Sequence, residues 1–305
     1  PSLYDWQNQL LARGRSDLAR YALDAVEGWM DDRSAAQSEN TGLQREYEVL
    51  LSRRGDLMNL QGDLAGAQTH HEAALAIAQR LVETEPANVE LQRDPSVIFN
   101  RLGDVRSARD DLPGAQACYN AGLAITLRLA QATPNNLDWQ RDLSISFNKL
   151  GDVQAAQGDL SGAQSHYEEG LKIRQRLTSA APSNMQWQRD LSISFSKLGD
   201  VRSAQGDQSS AMTHFVAALT IAQRLSQADP SNAEWKRDLS FTRTRMALAC
   251  EKAGDFSEAL HHAEAGIAIA LRLAALDPAD ARFQYDVKFT QFLIERVTQQ
   301  ITPQV

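Results

Sequence analysis

The residues with the most evident chemical potential are histidines in register. His70, His166, His214 and His262 recur at multiples of 48 residues, Cys118 takes the vacant rung, and His71 and His261 adjoin two of them. Imidazole and thiolate bind metals, but a site needs several of them within ~2 Å of one ion. Equivalent residues on neighbouring packed helices lie about 10 Å apart, and adjacent residues on one helix diverge by about 100°. The ladder is therefore expected on ordinary helix surface, with no metal and no cofactor. The two cysteines, Cys118 and Cys250, are too few for a disulfide framework or a four-ligand zinc site, which suggests a reducing, cytoplasmic setting. The sequence contains no P-loop, GxSxG, HExxH or Rossmann glycine pattern, and its carboxylates are repeat-spaced rather than clustered. No catalytic residue is expected.

A second ladder is cationic, with Arg53, Arg101, Lys149, Lys197 and Arg245 one per 48 residues. Ser52, Asn100, Asn148, Ser196 and Thr244 precede its members, and Asp56, Asp104, Asp152 and Asp200 follow three residues later. Two readings compete. In the more economical one, each cation pairs with its own Asp at i+3, worth ~0.2–0.5 kcal/mol on a solvated helix. In the other, rows of donors and acceptors face a partner's backbone and acidic groups. On the second reading the contact residues are Asn100, Arg101, Asp104, Asn148, Lys149, Asp152, Ser196, Lys197 and Asp200. A third ladder, Arg93-Asp94, Arg141-Asp142, Arg189-Asp190 and Arg237-Asp238, is read as structural, the Arg of one copy meeting the Asp of the next. Trp139, Trp187 and Trp235 share a helix face with Leu191 and Phe195 in register, so core rather than an aromatic binding platform is expected.

These rungs are positioned by a repeat. Gly55, Gly103, Gly151 and Gly199 are each 48 apart, and the same step links Ala67 to Ala115, Ala163, Ala211 and Ala259. It also links Pro86 to Pro134, Pro182, Pro230 and Pro278, without insertion. Each copy reads as two helices. Trp187, Leu191, Phe195 and Leu198 lie on one face of the first, and Ala211, Phe215, Ala218, Ala222 and Leu225 on one face of the second. Gly206 ends the first helix and Asp207 caps the second, while Pro230-Ser231-Asn232 turns into the next copy. Pro95, standing where later copies carry Leu143, Leu191 and Leu239, predicts a kink or a late helix start. No strand pattern appears.

The spacing Phe195, Leu198, Gly199, Ala211, Phe215, Ala218, and before it Phe147, Leu150, Gly151, Ala163, Tyr167, Gly170, resembles the tetratricopeptide repeat (TPR) family. The family unit is about 34 residues; here it is 48, the excess lying outside the motif, as in long-helix variants of bacterial multi-repeat proteins. The outer copies depart most, the fifth having Ala247 for the glycine and Arg243 for the aromatic. The resemblance implies an all-α, right-handed α-solenoid of TPR-like antiparallel helix pairs. It further implies a non-catalytic interaction scaffold that holds a protein or peptide on a concave face lined by the first helices. TPR proteins that clamp a carboxylate carry Lys, Arg and Asn at positions similar to the cationic ladder.

The 305 residues carry a net charge of −8, with 43% hydrophobic and 23% charged residues. This excludes wholesale disorder. No basic block points to nucleic acid, and no apolar run is expected to approach the roughly 20 residues of a membrane span. One solenoid over 1–305 is expected: a degenerate unit at 1–39, five 48-residue units over 40–279, and a capping helix at 280–305. The rival reading is a regulatory, sensor or oligomerising arm of a larger bacterial effector. In register, the first copy's first helix would begin about eight residues before Pro1. A third reading is self-association through the face carrying Trp6, Tyr21 and Trp29.

Overall fold

The computed structural model describes residues 13, 15–37 and 39–301. Trp6, Gly14 and Pro1 lie outside these. Twelve α-helices occur among the described residues, and no strand. They are α1 (Ser16–Ala36), α2 (Thr41–Leu60), α3 (Leu64–Thr84), α4 (Val89–Ala108), α5 (Leu112–Ala132), α6 (Leu137–Ala156), α7 (Leu160–Ala180), α8 (Met185–Ala204), α9 (Gln208–Ala228), α10 (Ala233–Lys252), α11 (Phe256–Leu276) and α12 (Ala281–Ile301). They pack as antiparallel neighbours, as expected for an α-solenoid of helix pairs.

The helix boundaries follow from side chains that satisfy free backbone donors. Asn40, Asn88, Asn136, Asn184 and Asn232 cap α2, α4, α6, α8 and α10, each side chain accepting from the amide three residues on. Asp63, Asp111, Asp159, Asp207 and Asp255 do the same for α3, α5, α7, α9 and α11. Each such cap contributes about 1 kcal/mol. The Asn88 cap also sets the start of α4 at Val89, so the late start expected from Pro95 is not taken and the helix runs through that proline.

Four of the turns between first and second helix use glycine at positive φ: Gly62, Gly158, Gly206 and Gly254, at 80° to 86°. Asp110 occupies the same rung at φ 64°. A β-carbon in this region costs roughly 1 kcal/mol. Asp110→Gly should therefore raise stability by about 1 kcal/mol, measured as a higher urea midpoint with an unchanged slope; a fall would show that the Asp110 side chain contributes more than its backbone strain.

The helices gather into two compact units, one of Asp17–Ile173 and one taking in Arg174 onward. In the first, α2 packs on α3, α3 on α4, α4 on α5 and α5 on α6, while α2, α4 and α6 touch side by side as one layer. Its core joins Leu51, Ala74, Ala78, Ile98, Leu102 and Cys118, with a neighbouring cluster of Ala115, Tyr119, Leu150 and Val153. In the second unit the same order holds for α8 to α12, around Phe215, Met246, Ala259, Leu273, Phe283 and Leu293.

One sequence expectation needs correction. α11 is long and apolar enough by composition to cross a membrane. Its buried residues, among them Ala259, Ala263, Gly266 and Leu273, lie on one face, and it packs between α10 and α12, as the core helix of a helical stack does. Of the aromatic residues proposed for self-association, Tyr21 and Trp29 on α1 are exposed.

Candidate partner-binding site

The glycine of each LGD segment has a packing reason. In the first unit, a β-carbon on Gly151 would stand 2.6 Å from Cδ1 of Tyr167 on the second helix. The Tyr167 hydroxyl donates to Asp152 Oδ1 at 2.7 Å, and one copy earlier Tyr119 donates to Asp104 Oδ1 at 2.8 Å. Burial and Asp104 push the Tyr119 phenol far above its ordinary range. Asp104 and Asp152 are thus held in place by their own copy's second helix.

Members of the cation ladder pair between copies. Arg101 Nε donates to Asp56 Oδ1 at 2.9 Å, and Lys149 Nζ sits 2.6 and 2.7 Å from the two oxygens of Asp104. In the second unit Arg245 meets Asp200 at 2.7 Å. Arg101, Lys149 and Arg245 each reach back 45 residues to the preceding copy. First helices of successive copies lie side by side, which brings each of these cations to the carboxylate one copy back. Arg53 lies 4.0 Å from its own Asp56.

The Arg-Asp ladder pairs across copies as the repeat geometry requires. Arg45 Nε donates to Asp94 at 2.8 Å and Arg237 Nε to Asp286 at 2.7 Å, and Arg93–Asp142 and Arg189–Asp238 are equivalent. Trp139 is buried, as a core residue should be, whereas Trp187 and Trp235 are half-buried.

The histidine ladder is not ordinary surface. His166 and His214 are half-buried, with ring centroids 6.0 Å from Phe147 and Phe195 of the facing first helix, and His262 is buried. His71 fills the rung of Tyr119, Tyr167 and Phe215 and is 1% exposed. The ladder packs inward because it adjoins the aromatic rung that contacts the LGD glycine. Among the described residues no three His, Cys, Asp or Glu converge as a metal site would require.

Within the first unit, the layer of α2, α4 and α6 carries a cavity of about 450 Å³. Four of the sequence-derived contact residues line it: Asn100, Arg101, Asp104 and Lys149. Asn148 and Asp152 belong to the same unit but do not line it; Asn148 is buried against Gly170, and Asp152 receives the Tyr167 hydroxyl. Ser196, Lys197 and Asp200 lie in the second unit, with Ser196 buried, Lys197 half-buried and Asp200 paired with Arg245. Sequence reasoning missed Glu48, which also lines the cavity. Its signal was a break in a ladder: Ser96, Ser144, Ser192 and Ser240 hold that rung in the other copies.

No protein-family model and no curated protein matches this sequence. Solved structures do. BtubC from P. vanneervenii shares 18% identity at TM-score 0.60, covering 82% of this chain and 90% of that one. The signal-transduction ATPase with a tetratricopeptide repeat sensor from Pyrococcus horikoshii shares 13% identity at TM-score 0.57, over 96% of this chain and 41% of that one. NprR, described as a quorum sensor from B. thuringiensis, was solved with its cognate peptide NprX; it shares 16% identity at TM-score 0.57 over 99% of this chain and 74% of that one. At these identities the likeness is one of fold: this chain is folded like helical repeat proteins, among them a peptide-bound quorum sensor and a protein with a TPR sensor.

Proposed function

We propose that this chain is a non-catalytic TPR-like scaffold of the 48-residue kind, which binds a peptide or protein on the concave face formed by its first helices. The unbroken register supports reading residues 1–39, 40–279 and 280–305 as degenerate unit, five repeats and cap of one array. The observation that carries the reading is the cavity on the α2, α4 and α6 layer, where Asn100, Arg101, Asp104 and Lys149 converge. The peptide complex of NprR, matched over nearly the whole chain, supports the class of partner.

The test must respect the ion pairs. Charge reversal at Arg101 and Lys149 would set Glu against Asp56 and Asp104 and disturb the fold as well as the surface. Arg101→Gln with Lys149→Gln removes the charges and leaves a shorter, neutral side chain that still donates hydrogen bonds. Peptides selected from a displayed random library should bind this double variant at least about tenfold more weakly than the parent, each charged hydrogen bond being worth ~1.5–3 kcal/mol. Equal affinity, with unchanged circular dichroism, would remove the assignment of this face.

A second reading is favoured by the ATPase structure, of which this chain matches only 41%. There the repeat serves as the sensor of a larger protein. Reading the gene on both sides of this sequence for a catalytic or effector domain tests it.

A further inference from the structure

Glu48 lies on α2, 3% exposed, in the wall of the first unit's cavity. Its Oε2 is buried and has no hydrogen-bond partner. The other carboxylates of that wall are each engaged by a cation: Asp94 by Arg45, Asp142 by Arg93 and Asp104 by Lys149. Among the described residues of the wall, Glu48 is the one acid without an ion pair. The serines on the equivalent rungs satisfy themselves locally, Ser96 and Ser144 donating to the carbonyls of Arg93 and Arg141. A glutamate here brings a buried charge site that its own helix cannot satisfy.

Burial, reinforced by Asp94, pushes the Glu48 carboxyl up to about 8 despite Arg101, Arg45 and Arg53 nearby. The wall also carries Arg53, Arg93, Arg101, Arg141 and Lys149, and of the cations around Glu48, Arg45, Arg93, Arg101 and Lys149 are paired with Asp94, Asp142, Asp56 and Asp104. At neutral pH the cavity wall therefore holds a neutral acid, and an arriving cation would restore the carboxylate. Glu48 offers that cation a carboxylate whose Oε2 is engaged by no other group of the protein.

We propose that this cavity receives a primary ammonium group, with Glu48 as its counter-ion, supplied by a lysine side chain or the free amino terminus of the bound peptide. The inference rests on the peptide-binding reading for the identity of the carrier, and on the cavity alone for its chemistry. On binding, Glu48 gives up its proton to solvent and the ammonium keeps its own.

Calorimetry on the whole chain at pH 7, in buffers of differing ionisation enthalpy, tests this with small probes. Nα-acetyl-lysine amide offers only a side-chain amine, glycylglycine amide only an amino terminus, and Nα-acetyl-norleucine amide neither. One amine probe or both should bind with release of about one proton, and the norleucine probe should not. Which one binds identifies the source. Glu48→Ser, which restores the residue of the other copies, and Glu48→Gln should each weaken that binding at least about tenfold while the circular dichroism stays unchanged. Failure of both amine probes, equal binding by the two variants, or binding without proton release overturns the proposal. A displayed peptide library separates the two readings. Selected peptides whose affinity ignores both Glu48→Ser and the loss of their amines would leave the peptide-binding reading standing and sink this one. Glu48-dependent amine binding with no peptide selected would do the reverse.

Discussion

Gly151→Ala should destabilise the first unit by about 2 kcal/mol, although alanine is the better helix former. In a helix interior, Ala is favoured over Gly by about 1 kcal/mol. Against that, the new β-carbon would stand 2.6 Å from Cδ1 of Tyr167, well inside contact distance. The ring cannot swing clear, because it is buried and its hydroxyl is held by Asp152. Overpacking of this kind costs about 1–3 kcal/mol, and the depth of this overlap puts it at the upper end. The urea midpoint should fall; a rise would mean that the helices separate easily and that propensity decides. The protein contains its own control. In the fifth copy both partners change together, Ala247 replacing the glycine and Ala263 the aromatic, and the two sit in one buried cluster. Gly151→Ala combined with Tyr167→Ala should accordingly cost less than the sum of the single changes, by about 1–2 kcal/mol.

Acid should unfold the first unit through His71, and His71→Phe should protect it. His71 occupies the aromatic rung against Gly55, and burial holds its imidazole down at about 4 in the folded chain, with Asp56 and Asp104 opposing and Arg101 and His70 reinforcing. Its ordinary value is 6.5. Above pH 6.5 the ring is neutral folded or unfolded, and pH has no leverage through it. Below 6.5 the unfolded chain takes up a proton that the folded chain refuses, so stability falls until the pH passes about 4. The total loss is roughly 3 kcal/mol. Phenylalanine fills the same rung at position 215 and does not titrate. Subtracting the acid-unfolding curve of His71→Phe from that of the parent should leave this window. Coincident curves below pH 6 would show that His71 is solvated in the folded state. Glu48 works in the opposite sense, its raised value making the fold most stable at low pH and less so as pH rises toward 8, so it cannot produce the same difference curve.

Much of the architecture was legible in the residues. Helix starts are set by Asn and Asp rungs, and turns by Gly62, Gly158, Gly206 and Gly254. These depend on groups within a few positions of one another, which a sequence displays directly. The register also predicts that Arg45, Arg93 and Arg237 meet an Asp one copy on, because a repeat places equivalent rungs side by side. Pro95 misleads, since a capped helix with neighbours on both sides tolerates the missing amide.

Three features became visible only in three dimensions. Lys149 reaches Asp104 one copy back, because the first helices of successive copies lie side by side. Arg174, at a rung filled elsewhere by Ala78, Thr126, Ala222 and Ala270, is buried, and donates to the Asp190 carbonyl and Ser194 Oγ at 2.7 Å each. Glu48 reads in sequence as one more surface acid. The sequence by itself determined that this chain is a ladder of paired helices, since caps, turns and apolar period are local properties. Which rungs are satisfied and which stand open was decided by the lateral packing of helices about 45 residues apart in sequence. Ion pairing and burial depend on those distances between helices, which no single helix contains.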